Sequence, residues 1–206
     1  MKPTLLVAAL ALPLMLAACG PAPEAPPPPP PAPEAPPPPP AAPPAPPVPE
    51  APGTVESGAT AVLAPTEGNA ANGTLTLTVE ADGVRISGTL EGVPSGGTHG
   101  FHIHETGDCS APDASSAGPH FNPTEAPHGH PGQGEHHAGD MPNLVADEEG
   151  RIKVDVLVPG VSLGGDAGHD VIGRAVVLHA SADDYASQPA GDSGPRIACG
   201  VIHRLD

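Results

Sequence analysis

Residues 73–90 read GTLTLTVEADGVRISGTL and alternate apolar with polar side chains on both sides of a turn at Ala81-Asp82-Gly83. Successive side chains of a β-strand point to opposite faces, so this period-two pattern predicts two strands that bury one common face. An Asp-Gly pair between two such runs is a strong hairpin signal. We therefore predict an antiparallel β-hairpin across residues 73–90.

The same alternation recurs along the chain and predicts further strands, in residues 58–66, 98–105, 142–158, 171–180 and 196–204. The stretch 142–158 is expected to turn near Glu149-Gly150 and form a second hairpin. No long helical periodicity is present. Strands at this spacing predict an all-β fold, an eight-stranded antiparallel Greek-key barrel or sandwich.

Two connections between the predicted strands are long and, taken together, rich in glycine, proline and histidine. They are residues 106–142 and residues 181–195. Long ordered loops in a compact β domain usually contain its functional residues, so we expect the functional site in these two loops.

The folded domain is predicted to span residues 53–206 and is strongly acidic. It contains 21 acidic and 6 basic side chains, a net charge of −15, and the whole chain has a net charge of −17. Nucleic acid is not an expected partner, because phosphate backbones are bound through clustered Lys and Arg. Aromatic side chains are scarce, so Val, Ile, Leu and Ala must form the core.

The N-terminal segment reads as an export signal. Lys2 gives it a positive start, an apolar run follows, and LAAC ends it at Cys19. The pattern resembles a bacterial lipoprotein signal, which implies removal of residues 1–18 and lipidation of Cys19. An ordinary secretory signal with a chance cysteine is the alternative. Both predict export to the periplasm or cell envelope, and the first predicts a membrane anchor.

Residues 19–52 are predicted to comprise the lipidated cysteine, Cys19, followed by a proline-rich spacer. The decamer PAPEAPPPPP occurs at 21–30 and again at 31–40. Proline-rich chains favour polyproline II, in which 32 residues extend up to roughly 100 Å. The segment is predicted to be a semi-rigid tether; the alternative is a proline-motif ligand for a partner domain.

Residues 100–109, GFHIHETGDC, place two histidines two positions apart. On a strand, Phe101 and Ile103 would enter the core, while the rings of His102 and His104 would share the opposite, outward face. Imidazole suits copper and zinc, and a carboxylate is common on zinc. The predicted metal site draws on a larger set, which adds His120, His128, His130, His136, His137, Asp140 and His179.

Five segments resemble, in order, the signature segments of the Cu,Zn superoxide dismutases: GFHIHETGDC, AGPHFNP, HHAGDMPN, VIGRAVVLHASADD and GPRIACGVI. The resemblance covers nearly all of residues 54–206, and five motifs in the family's order are highly specific. It implies one copper and one zinc per subunit and an enzyme that converts superoxide to oxygen and hydrogen peroxide.

The resemblance also implies the metal ligands. Copper would be bound by His102, His104, His120 and His179. Zinc would be bound by His120, His128, His137 and Asp140, so that His120 bridges both metals. The spacing of eight residues from His120 favours His128 over His130, and His136 is a further alternative.

The resemblance gives four other residues a role. Asp183 would accept hydrogen bonds from one copper histidine and one zinc histidine. Cys109 and Cys199 would form a disulfide, and Arg196 would lie beside copper and guide superoxide. Residues 110–119 lengthen the family's spacing and residues 180–195 contain no lysine, so a homodimer is possible but does not follow by analogy. The rival function is a metal-buffering lipoprotein of the same fold without turnover.

Replacement of the predicted lipidation site, Cys19→Ser, is expected to release the protein from the membrane fraction while the domain keeps its activity. The lipoprotein pattern implies that the acyl chains are attached at Cys19, and stable anchoring requires more than one of them. Removal of the Cys19 thiol therefore removes the predicted anchor. Fractionation of cells that express the variant and the unmodified chain measures the effect. Unchanged membrane association of the variant would contradict the lipoprotein assignment.

Overall fold

The structure is a computed structural model that describes residues 58–205. Several predicted segments lie outside the described residues: the signal peptide, Cys19 with the whole spacer, and residues 53–57 at the start of the domain. The strands are β1 (Ala59–Pro65), β2 (Asn72–Glu80), β3 (Gly83–Glu91), β4 (Thr98–His99), β5 (Phe101–His104), β6 (Leu144–Val145), β7 (Ile152–Pro159), β8 (Ala175–His179) and β9 (Arg196–Arg204). A short 3₁₀ helix spans Ser115–Ala117. Among residues 58–205, no helix has the length and apolar composition that a membrane crossing requires.

Seven strands form one curled antiparallel sheet in the order β5-β8-β9-β1-β2-β3-β7, and β4 pairs with β6 in a short ribbon. After the β1-β2-β3 meander the chain crosses to β5 at the far edge, returns to β7 beside β3, and crosses again to β8. These three connections between the two edges of the sheet give the Greek-key arrangement. The predicted all-β, antiparallel Greek-key class is confirmed; where eight strands are predicted, the described chain has seven in the sheet and two in the ribbon.

The hairpin predicted over residues 73–90 forms as β2 and β3, with Glu80 opposite Gly83 across the turn. Leu75, Leu77 and Ile86 are fully buried, as the alternation requires. The core contains mainly aliphatic side chains, and Phe101 and Phe121 are its two aromatic members.

The second predicted hairpin is wrong. A turn does form near Gly150, where the Asp147 N–H donates to the Arg151 carbonyl at 2.9 Å. However, β6 on one side pairs with β4, while β7 on the other side pairs with β3. Alternation identifies strands but not their partners, so a turn between two strands does not establish that they pair.

The placement of the two histidines of β5 on an outward face also needs correction. Phe101 and Ile103 enter the core as predicted, but His102 and His104 are also buried, at 0% and 1% exposure. The two long connections cover that face of β5. The structure has a third long connection, residues 160–174 between β7 and β8, which the sequence analysis did not single out.

A disulfide joins Cys109 to Cys199 and attaches the 106–142 connection to β9. It closes a loop with a sequence separation of 90 residues. In the chain-entropy description, a closed loop of this length is worth about 4–5 kcal/mol. A small apolar cluster surrounds it, with members Ala114, Ala117, Ala175 and Val177. The bond therefore holds the start of the long connection against β8 and β9.

Candidate metal centre

Four buried histidines converge on one point beside the sheet. His102 and His104 lie on β5, His179 ends the neighbouring strand β8, and His120 comes from the 106–142 connection. One ring nitrogen of each lies within 4.8 Å of a ring nitrogen of every other. The Nε2 atoms of His104 and His179 are 3.4 Å apart. Distances of this length between ring nitrogens allow several of them to bind one metal ion.

The 106–142 connection reaches the site by adding backbone hydrogen bonds to the free edge of β5. The Ile103 N–H donates to the Gly139 carbonyl at 2.9 Å, and the Phe121 N–H donates to the Ile103 carbonyl at 2.8 Å. A Cβ at Gly139 would lie 2.2 Å from the Ile103 oxygen, so only glycine fits. This approach sets Asp140 opposite His102 and His120 opposite His104.

A second group shares His120 with the first and adds His128, His137 and Asp140. The Asp140 Oδ1 atom lies 2.8 Å from Nδ1 of His120 and 3.0 Å from Nδ1 of His128. It is 3.2 Å from Nδ1 of His137. Its other oxygen accepts the backbone N–H groups of His137 at 2.9 Å and Gly129 at 3.1 Å. One carboxylate oxygen therefore lies among three imidazoles while the other is held by the loop.

Protein acceptors hold the outer nitrogens of four of the rings. The Asp183 carboxylate accepts from two of them: Nε2 of His102 lies 2.7 Å from Oδ2, and Nε2 of His128 lies 2.9 Å from Oδ1. Nδ1 of His104 lies 2.8 Å from the Gly118 carbonyl, and Nδ1 of His179 lies 3.2 Å from the Gly194 carbonyl. An acceptor at one nitrogen fixes the proton there and leaves the other nitrogen as a lone-pair donor.

The inner nitrogens fit metal ions. Nδ1 of His102 and Nε2 of His120 are buried and have no hydrogen-bond partner among the described residues. Nδ1 of His128 faces Asp140 at 3.0 Å without hydrogen-bond geometry. Buried polar atoms are otherwise paired in folded proteins, and imidazole nitrogens that lack a partner are suited to bind a metal. His102 belongs to the first group, His128 to the second and His120 to both, so cations in the two groups would satisfy all three nitrogens.

The charge states of the first group suit metal binding at neutral pH. Burial lowers the pKa of His120 to about 4 and that of His179 to about 3. Burial also holds the pKa of His104 well below its ordinary value. These rings are therefore neutral near pH 7, and a neutral imidazole is the form that ligates a metal.

The second group contains a carboxylate that is ionised near neutral pH. Burial acts to raise the pKa of Asp140, but the neighbouring imidazoles of His120, His128 and His137 outweigh it and hold that pKa far below its ordinary value. Burial acts to lower the pKa of His128, but the Asp140 and Asp183 carboxylates raise it to about 9. A cation between His128 and Asp140 would take the place of a proton there.

Asp183 is held in place by its neighbours on both loops. Its backbone N–H donates to Oδ1 of Asn143 at 2.8 Å, and its carbonyl accepts from Nδ2 of Asn143 at 2.8 Å. Its Oδ1 atom also accepts the Tyr185 N–H at 2.6 Å. The carboxylate that joins the two groups is therefore rigidly placed.

A cleft of about 340 Å³ opens onto both groups. His104, His120 and His179 of the first group and His137 of the second line it, together with Arg196 and the rim residues Glu105, Pro119, Asn122, Pro189 and Ala190. The Arg196 guanidinium donates to the Ala114 carbonyl at 2.6 Å and to the Gly118 carbonyl at 2.7 Å. Gly118 thus holds both Arg196 and His104, which fixes the cation relative to the ligand set.

The structure brings together all the residues that the sequence analysis assigned to copper, zinc and the linking carboxylate. It does not bring the alternatives His130 and His136 into either group. His130 instead packs on the Tyr185 ring at a centroid distance of 4.4 Å. Sequence reasoning missed Gly139, Asn143 and Gln188, which place the ligands through backbone contacts. No side-chain pattern distinguishes such residues from ordinary loop residues.

The fold and the two joined sites define a metal-binding β-barrel protein. A sequence model of the copper/zinc superoxide dismutase family matches residues 71–202. Two superoxide dismutases [Cu-Zn] of Aquifex aeolicus are 45% and 44% identical to this chain over 123 residues, which are 58% of the chain and 72% and 73% of those proteins. The chain belongs to the copper/zinc superoxide dismutase family, whose metals are copper and zinc.

Solved structures agree with this assignment. A double mutant of a SOD-like protein from Bacillus subtilis has a TM-score of 0.65 and 38% identity, covering 70% of this chain and 96% of that one. The clock protein EA4 has a TM-score of 0.65 and 43% identity, covering 76% of this chain and 99% of that one. The fold is therefore shared with a SOD-like protein and with a protein described as a clock protein.

Replacement of the carboxylate in the second group, Asp140→Ala, is expected to lose zinc preferentially and to leave copper bound. His102→Ala is the matched variant and is expected to lose copper and abolish turnover, because His102 belongs only to the first group. Metal analysis of both purified variants after loading with copper and zinc checks the assignment. Loss of copper with retention of zinc in Asp140→Ala would reverse it.

Proposed function

We propose that this chain catalyses the dismutation of superoxide to oxygen and hydrogen peroxide, with copper in the first group and zinc in the second. The observation that supports this most is the position of His120. Its Nε2 atom belongs with the four-histidine group and its Nδ1 atom lies 2.8 Å from Asp140 in the other. One imidazole therefore joins two sites of different donor chemistry that share one cleft.

When bound, copper supplies one-electron redox cycling and zinc supplies a fixed positive charge without redox chemistry. The first group is made of imidazoles alone, which suit both oxidation states of copper better than carboxylates do. The second group includes Asp140, the hard ligand that zinc accepts. The two donor sets thus differ in the way that the two roles require.

The formation of peroxide consumes protons, and His120 is placed to supply one. Its Nδ1 atom is held by Asp140, while its Nε2 atom is buried without a partner among residues 58–205. His120 also lines the cleft that leads to solvent. With a cation in the second group in place of the proton that faces Asp140, the single ring proton would be held at Nε2 and passed toward a molecule in the cleft.

Arg196 provides the positive charge that would attract an anionic substrate. Its two backbone acceptors orient the guanidinium at the cleft without neutralising it, because carbonyl oxygens have no net charge. Burial lowers the pKa of Arg196, and the negative charge of Asp113 acts against that shift. We assign to Arg196 the attraction and orientation of superoxide within the cleft.

We also propose that the chain works outside the cytoplasm, tethered at Cys19 by the proline-rich spacer. The export signal that ends in LAAC supports the location. The disulfide between Cys109 and Cys199 agrees with it, since such bonds persist in oxidising compartments. A tether of this length would keep the domain near the membrane.

The decisive experiment is to load the purified protein with copper and zinc and measure the disappearance of superoxide. We expect catalytic turnover that requires copper and is lost in His102→Ala. Saturated metal sites without turnover would contradict the enzyme and leave the metal-buffering function. No binding of either metal would contradict both.

Reversal of charge at the cleft, Arg196→Glu, is expected to lower the dismutation rate by at least roughly tenfold without removing either metal. A repulsion of more than ~1.4 kcal/mol replaces an attraction at the entry point. Lys153→Glu is the matched control: it makes the same charge change on β7, at the opposite edge of the sheet from β5. The rate of Lys153→Glu is expected to stay close to that of the unmodified protein.

The salt dependence of the unmodified protein separates the local field from the net charge of −15 over residues 53–206. The Debye length is about 10 Å at 0.1 M salt, so distant carboxylates are mostly screened. If Arg196 dominates encounter, the rate falls as salt rises, and this is what we expect. A rate that rises steadily with salt would show that the bulk acidic field governs the approach of superoxide.

A further inference from the structure

Gln188 makes an unusual contact between the two long connections. Its side-chain Oε1 accepts the backbone N–H of His128 at 2.9 Å, and its Nε2 donates to the carbonyl of the same residue at 2.9 Å. The two residues are 60 positions apart in the chain. One side-chain amide therefore satisfies both backbone groups of a single residue in the other loop.

That residue is one of the proposed zinc ligands. The His128 ring is held at Nε2 by Asp183 at 2.9 Å, and its Nδ1 faces Asp140 at 3.0 Å. These contacts orient the ring but do not fix the backbone from which it projects. His128 lies outside any helix or strand, so no ladder of backbone bonds fixes it either. Gln188 supplies the hydrogen bonds that a strand would otherwise provide.

We propose that Gln188 is a positioning residue for zinc binding: it holds the His128 backbone so that Nδ1 is aimed at the second group before the metal arrives. This inference rests on the proposed assignment of zinc to that group. A ligand that is already in place loses little conformational freedom when the metal binds, whereas a mobile ligand loses much more. The hydrogen bonds of Gln188 would therefore strengthen zinc binding without contact to the ion.

The pairing of amide and backbone occurs twice and in opposite directions. Asn143, just after the 106–142 connection, makes the same double contact with the backbone of Asp183. Gln188 of the 181–195 connection makes it with His128. Asp183 and His128 are themselves hydrogen-bonded partners. His128 and Asp183 thus form a pair in which each residue has its side chain bonded to the other and its backbone held by an amide. The two amides hold these two residues in particular, and not the loops in general.

Gln188 also connects the second group to the cleft. Pro189 and Ala190 follow it directly and line the rim beside His179 and Arg196. A further bond from Nε2 of Gln188 to the Ala186 carbonyl, at 3.3 Å, keeps the side chain close to its own loop. Gln188 thus contacts the His128 backbone from the residue that directly precedes the rim.

The test measures zinc affinity directly and does not depend on activity. Gln188→Met removes both hydrogen bonds to His128 and the one to Ala186 at similar volume, and Gln188→Asn keeps the amide but shortens its reach. Gln133→Met is the matched control, because Gln133 is an exposed residue of the loop between His128 and His137. The zinc dissociation constant of copper-free protein is measured by competition with a chromogenic chelator, and the copper dissociation constant is measured separately.

We expect Gln188→Met to raise the zinc dissociation constant roughly tenfold, as loss of outer partners of metal ligands typically does. Gln188→Asn should lie between that value and the unmodified protein, while Gln133→Met and the copper dissociation constant of Gln188→Met should change by less than about twofold. The visible spectrum of cobalt bound in the zinc group should also change in Gln188→Met, because its ligand geometry is altered.

Three results would overturn the inference, and they can be told apart. A zinc dissociation constant within about twofold of the unmodified value in Gln188→Met, even with a lower melting temperature, would reduce Gln188 to a structural contact. An equal loss in Gln133→Met would show a general effect of the loop. Absence of zinc binding in the unmodified protein would remove the proposed zinc site itself.

Discussion

The arrangement of both metal groups depends on one buried carboxylate, that of Asp183. Its two oxygens accept from His102 on β5 and from His128 in the 106–142 connection, at 2.7 and 2.9 Å. A buried carboxylate is stable only when it is fully paired, so the fold must bring both rings to it. Because the Nε2–H of each ring donates a hydrogen bond to Asp183, each ring presents Nδ1 inward. The same anion therefore sets the ring orientation of one histidine in each group.

The sheet provides the rigid half of this arrangement and the loops provide the other half. β5 and β8 supply three histidines: His102 and His104 lie within the pairing of β5 with β8, and His179 follows a register shift between β8 and β9. The segments at Phe121 and Gly139 add backbone hydrogen bonds to the edge of β5 and so extend the sheet. The histidine beside Phe121, His120, is the one that belongs to both groups. Extension of a β-sheet by backbone hydrogen bonds thus accounts for the shared ligand, since register alone places it beside His104.

Sequence reasoning predicts what depends on side-chain type and misses what depends on the backbone. Alternation predicted the β2–β3 hairpin, and a resemblance in five motifs predicted the ligand set. The predicted pairing of the two strands beside the Gly150 turn is wrong, because alternation does not encode the partner of a strand. The acceptors for His104 and His179 are the carbonyls of Gly118 and Gly194. Every residue has a carbonyl, so no residue type marks these two in advance.

The position of Arg196 depends on the segment that follows the disulfide. Arg196 and Cys199 lie three residues apart on β9, and Cys199 holds the start of the 106–142 connection through Cys109. The residues that follow Cys109 return to Arg196 with the carbonyls of Ala114 and Gly118. The guanidinium is thus bound by a segment that is attached covalently to its own strand. The covalent bond and these two hydrogen bonds together determine where the charge lies.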